Sequence, residues 1–148
     1  MKKTFFVLAG LAACMLVFSC ASTEFTQEDA NIAFGKVYDT FRDELILEGA
    51  KSYTVVQGDT LSAITRRNYG GKNGYFFPLI MLASSDVVLD PDSIEPGMAL
   101  TIPDLEKNLS NSQARKKLQK FLEEIARIYD KKGREETRNR LKALAASL

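Results

Sequence analysis

The groups able to do chemistry in this 148-residue chain are carboxylates, hydroxyls, lysines and tyrosines. It has no histidine, and its two cysteines, Cys14 and Cys20, both fall within the first 20 residues. Ser-His-Asp and Cys-His nucleophilic catalysis therefore lack their base, and a zinc site built from His or Cys lacks its ligands. Paired carboxylates remain as a route to glycoside hydrolysis, which needs two of them roughly 5 to 9.5 Å apart across the scissile bond. Asp59 with Asp86 or Asp92 could face one groove, but helix capping and turn formation account for these residues more simply. The acidic group Asp86, Asp90, Asp92 and Glu95 lacks the glycine of a calcium-binding helix-loop-helix, and Pro91 and Pro96 stiffen it. No catalytic residue, metal or cofactor is expected, and the chain reads as one that binds rather than cuts.

The elements that must position these residues can be read between 53 and 103. Tyr53, Val55 and Val56 suit a short strand that ends in a turn at Gly58. Asp59 or Thr60 can cap the next helix, Leu61 and Ile64 point inward, and Gly70-Gly71 stops it. Pro78 is placed for the first turn of a second helix, whose Leu79-Ile80-Met81-Leu82-Ala83 is apolar nearly all round and so buried. Glu95-Pro96-Gly97 has the Pro and Gly of a type II turn, and Leu100-Thr101-Ile102 alternates as a strand closed by Pro103. The order is strand, helix, helix, strand. A lone two-stranded sheet is marginal, so the helices must cover one face.

Gln57-Gly58-Asp59-Thr60-Leu61 at one end and Pro96-Gly97-Met98-Ala99-Leu100-Thr101-Ile102-Pro103 at the other, at this separation, closely resemble a LysM (lysin motif) domain. The resemblance covers 51 of 148 residues and implies an α+β fold, a small βααβ module with a two-stranded antiparallel sheet. It also implies that peptidoglycan or a related N-acetylglucosamine polymer is bound without chemistry, in a shallow groove between the loop after the first strand and the loop before the second. Carried onto this chain, the groove positions are Gly58, Asp59, Thr60 and Leu61 on one side and Ser84, Ser85, Asp86 and Ile94 on the other. The chain has Ser84 and Phe77 where many relatives have Asn and Trp.

Met1-Lys2-Lys3 followed by 14 apolar residues, Phe5 to Phe18, has the form of a secretory signal peptide. The run is short of the ~20 residues that span a bilayer. Val17-Phe18-Ser19-Cys20 resembles the lipobox of bacterial lipoproteins, which implies acylation of Cys20 and a membrane anchor. Leu11-Ala12-Ala13-Cys14 fits the same pattern and makes Cys14 the alternative, and removal of a plain signal after Ala21 is the third reading. Export to the cell envelope is expected, lipid-anchored at the outer membrane or periplasmic face in a diderm. The expected partition is a lipoprotein signal over 1–20, an amphipathic helix within 21–50, LysM over 51–104 and a helical region over 105–148.

Thr26-Gln27-Glu28-Asp29 predicts a helix start, and Ala30, Phe34, Val37, Tyr38, Phe41 and Leu45 recur at helical spacing, giving a helix of about 20 residues stopped by Gly49. Ser110-Asn111-Ser112-Gln113 has capping-box spacing ahead of a second stripe of Ala114, Leu118, Phe121, Leu122, Ile125, Ile128 and Tyr129. Gly133 is expected to break that helix, and a further segment to Ala146 carries Leu141 and Leu144. Residues 24–50 hold 2 basic and 7 acidic side chains and residues 110–148 hold 11 and 5, so the flanks are oppositely charged. They are expected to pack together or against the back of the module. The basic flank is a solvated face, and no nucleic-acid partner is expected for an exported chain. Two functions follow: a lipid-anchored tether between membrane and cell-wall glycan, or an envelope adaptor whose flanking helices hold a protein partner or a second copy. Both stripes buried in one monomer would favour the first.

Overall fold

The computed structural model describes residues 24–148, and the readings at Cys14, Cys20 and the apolar run lie outside them. Helix α1 (Gln27–Phe41) starts at Thr26, whose side chain accepts from the Asp29 N–H while the Asp29 carboxylate accepts from the Thr26 N–H. It has 15 residues rather than the expected 20. Beyond the helix the chain is held extended by Asn108, buried at 1% exposure, which pairs with the backbone of Ile46 on both sides: the Ile46 N–H donates to its Oδ1 and its Nδ2 donates to the Ile46 carbonyl, both at 3.0 Å. Residues 42–50 are therefore a 3-10 turn and an extended connection, and Gly49 (φ 81°) turns the chain into β1 instead of stopping a helix.

Strand β1 (Lys51–Thr54) pairs antiparallel with β2 (Ala99–Ile102), Tyr53 opposite Leu100. The pairing runs on beyond the ladder, with the Val55 N–H donating to Met98 and the Gly97 N–H to Val55, both at 2.9 Å. Gly97 (φ 95°) and the Met98 N–H bond to the Glu95 carbonyl at 3.1 Å make the expected turn. Between the strands lie α2 (Leu61–Tyr69), ended by Gly70 at φ 92°, and α3 (Phe77–Ala83) with Pro78 in its first turn. Strand, helix, helix, strand is thus observed, in an α+β fold.

Helix α3 is buried from Phe77 to Leu82 because it is covered twice. One side meets the sheet, and the other receives the two flanks: Tyr129 of α5 (Ser112–Lys131) sits edge-on to Phe77 and to Phe34 of α1, with ring centroids 6.0 and 6.1 Å away. Phe41 and Phe121 extend this cluster at 5.6 Å. Aromatic pairs of this kind add roughly 0.5–1.5 kcal/mol each beyond their buried area. Both flank stripes are consequently inside one molecule.

A short helix, α4 (Leu105–Ser110), precedes α5 and was not expected; Asp104 caps it by accepting from the Lys107 N–H. The cap of α5 is Asn111 rather than Ser110, its Oδ1 accepting from the Gln113 and Ala114 N–H groups. Gly133 (φ 68°) breaks the chain as expected and α6 (Glu135–Ala146) folds back along α5, burying Leu141 and Ala145. The opposite charges of the flanks meet at two pairs, the half-buried Lys117–Glu44 at 2.6 Å and the exposed Lys107–Glu48 at 3.0 Å. Such pairs contribute little to stability, and apolar burial holds the flanks.

Candidate binding cleft

The loop between β1 and α2 is built around Asp59. Its carboxylate accepts from the Val56 N–H at 3.0 Å and the Tyr53 hydroxyl at 2.7 Å, and it pairs with Arg67, whose guanidinium lies over the Tyr53 ring. The Val56 amide, then the Tyr53 hydroxyl and Arg67, hold the Asp59 carboxyl below the usual aspartate range. A general acid for glycoside hydrolysis needs the opposite shift. Asp59 is a staple of the loop, and the cap of α2 is Thr60, which accepts from the Ala63 N–H at 3.2 Å.

The opposite loop, 84–98, is held by residues far away in the chain. Asp90 is fully buried and accepts from Lys132 at 2.5 Å, from Gln27 at 2.9 Å and from the Asp92 N–H at 2.9 Å. Lys132 follows α5 and sits 5.7 Å from the ring centroids of both Phe34 and Tyr129. The Tyr38 hydroxyl of α1 donates to the Leu89 carbonyl at 2.9 Å. Burial, then the Asp90 charge, pushes the Tyr38 phenol well above its ordinary range, so it stays a neutral donor. The helical flanks therefore shape one wall of the expected groove.

Between the two loops lies an open cleft of about 220 Å³. Thr60, Leu61 and Ser62 form one wall, and Pro91 with Asp92 another. Of the eight residues selected from the sequence, this cleft brings together Thr60 and Leu61, the latter only 3% exposed as part of the core. Gly58 (φ 85°) and Asp59 lie in the adjoining loop, Asp86 is exposed, and Ser85 and Ile94 are half-buried. Ser84 is buried and occupied: its Oγ accepts the Thr101 N–H at 2.9 Å, and its carbonyl accepts from Val87 and Val88. It fastens the end of α3 to β2, so its hydroxyl is engaged within the module. Three of the five large apolar side chains exposed among the described residues, Val56, Val87 and Leu89, stand on these two loops.

The remaining walls contain residues that the sequence reading missed. Arg66 comes from α2, Tyr75 from the turn after it and Phe77 from the start of α3, while Tyr129 near the end of α5, Arg134 at the elbow and Thr137 at the start of α6 complete the wall. Burial, then the charges of Asp92 and Asp90, raises the Tyr129 phenol far above its usual value. Nothing local marks these residues, since the elbow reaches the cleft only through the packing of α5 on α3. Hydroxyls, aromatic rings and arginines around an open cleft suit a sugar, whose faces are apolar and whose rim is polar.

Comparison with known proteins agrees with this geometry. The LysM domain family model matches residues 53–103. Potassium binding protein Kbp of Escherichia coli O6:H1 is 46% identical over 52 residues, which make up 35% of this chain and 34% of that protein. The chain thus spans about a third of the length of this curated relative. No solved structure matches. LysM domains bind N-acetylglucosamine polymers such as peptidoglycan, and the two paired strands, the two helices between them and the loops on either side of the cleft are the parts that such a module needs. The segment from Tyr53 to Pro103 is a LysM domain.

Proposed function

We propose that this chain is a non-catalytic, lipid-anchored protein of the cell envelope that holds peptidoglycan, or a related N-acetylglucosamine polymer, in the cleft between the 56–61 and 84–98 loops. The observation that carries this reading is the meeting of both LysM loops at one open cleft of about 220 Å³, with hydroxyl and aromatic walls. The anchor is Cys20, with Cys14 as the alternative, and the partition of the chain is a lipoprotein signal over 1–20, a first flank over 21–50, the module over 51–104 and a second flank over 105–148. A shallow sugar site is weak alone, and an anchor that keeps it beside the wall raises its effective concentration. The potassium in the relative's name is not carried across, because the shared segment is about a third of that protein.

An adaptor with a partner on its helices needs an exposed apolar stripe. Phe34, Tyr38, Leu118, Phe121, Ile125 and Tyr129 are instead buried in the monomer, which supports the tether. The test is co-sedimentation of the full chain with purified peptidoglycan, beside Ser62→Tyr, which fills the cleft. Retention of the wild type and its loss in the variant support the reading, and equal behaviour of the two sinks it. For the anchor, labelling with a clickable fatty acid should mark the wild type and not Cys20→Ala.

A further inference from the structure

Charge distinguishes this cleft from a plain sugar groove. Two arginines and one aspartate are the charged residues that line it. The aspartate, Asp92, is already engaged, lying 3.3 Å from Lys132 and 3.8 Å from Arg134. Arg66 makes no ion pair and no side-chain hydrogen bond among the described residues. Its position is set by Gly74: a Cβ there would stand 2.9 Å from Arg66 Cγ and 3.5 Å from Nη1, so the absent side chain is the room in which the arginine stem lies. Arg134 enters from the opposite side, at the elbow that Gly133 creates, and its side chain is 64% exposed. Arg140 adds a third cation nearby, stacked over the Tyr75 ring. Lys132 is shared between Asp90 at 2.5 Å and Asp92, so Arg66 is the guanidinium that edges the cleft without a carboxylate, and Arg134, held to Asp92 only at 3.8 Å, edges it from a separate element.

We propose that the cleft selects peptide-free sugar units whose lactyl carboxylate is exposed, of the N-acetylmuramic type, over neutral N-acetylglucosamine runs, with Arg66 and Arg134 as the selecting residues. Guanidinium forks match a carboxylate with two parallel N–H donors, and the hydroxyl and aromatic walls receive the sugar ring itself. The inference rests on the glycan-binding reading above and deepens it. Neither arginine belongs to the LysM signature residues. Arg66 lies within the matched segment and Arg134 outside it, so the selectivity draws on the module and on this chain's flank together.

The experiment is calorimetry on the full chain with three probes: a peptide-free N-acetylglucosamine–N-acetylmuramic acid tetrasaccharide, the same oligomer with its carboxylates methyl-esterified, and a neutral chitin tetramer. The expected result is a preference of roughly tenfold for the free acid over its ester, shrinking as salt is raised. In Arg66→Gln/Arg134→Gln that ratio collapses towards one, with the thermal melt recorded to show that the variant is folded. The ratio is the readout, and a merely structural role for the arginines would not change it selectively. Equal affinity for acid and ester in the wild type, or an unchanged ratio in the folded double variant, overturns this inference alone. Failure of all three probes to bind overturns the glycan reading and this inference with it.

Discussion

Replacing Lys132 by methionine should be the most damaging single change to the frame of the cleft. Asp90 is fully buried and the Lys132 side chain is 10% exposed, so the pair at 2.5 Å is desolvated on both sides. Removing one partner of such a pair leaves an uncompensated buried charge and costs about 3–5 kcal/mol. Here the low end applies, about 3 kcal/mol, because Asp90 keeps the Gln27 and Asp92 N–H donors and methionine keeps most of the stem packed on Phe34 and Tyr129. For a chain of this size that corresponds to a fall in Tm of about 12 °C. The double variant Asp90→Asn/Lys132→Met removes the charge as well, and should recover at least half of the loss. Thermal and urea unfolding of the wild type, both singles and the double give a complete cycle. A Lys132→Met protein within about 1 kcal/mol of the wild type would refute the reasoning, since water would then be serving Asp90 in place of the lysine.

Ser84→Ala should leave the Thr101 N–H without its 2.9 Å partner and cost about 1–3 kcal/mol in urea unfolding, with the weakening greatest at β2 in hydrogen exchange. Asp59 contributes stability that depends on pH. Its folded carboxyl is depressed below the unfolded value, so the contribution is complete above the unfolded pKa of about 4 and fades as the pH falls through the folded one. Asp59→Asn should therefore flatten the decline of stability below pH ~4, leaving the parallel contributions of Asp29 and Asp130, which are depressed in the same direction. Gly74→Ala is compatible with the local backbone but forces the Arg66 stem to move. It should cost about 1 kcal/mol by overpacking and shift the acid-to-ester affinity ratio towards that of Arg66→Gln.

What could be read from the sequence was the local grammar of the fold. Thr26 with Asp29, Gly70, Pro78 and Pro96-Gly97 each act through neighbours within four residues, and each stands where capping and turn chemistry place it. The apolar run 79–83 announced its own burial. The misses share a physical cause, which is action at a distance along the chain. Asn108 holds the extended chain at Ile46 from 62 positions away, and Lys132 holds Asp90 from 42 positions away. Neither residue carries a local mark of that role. The site divides in the same way: Thr60 and Leu61 follow from the motif, whereas Arg66 needs Gly74 and Arg134 needs the α5–α6 elbow. Ser84, placed in the expected groove by position, has a short side chain that reaches Thr101 of β2 and bonds there.

Everything proposed for this protein turns on the cleft between the two LysM loops holding cell-wall glycan. The most direct test is co-sedimentation of the full chain with purified peptidoglycan in the presence of increasing soluble N-acetylglucosamine oligomer. The expected result is retention that the oligomer displaces in a dose-dependent way and that Ser62→Tyr abolishes. A chain that stays in the supernatant, or that pellets equally with and without competitor, would contradict it.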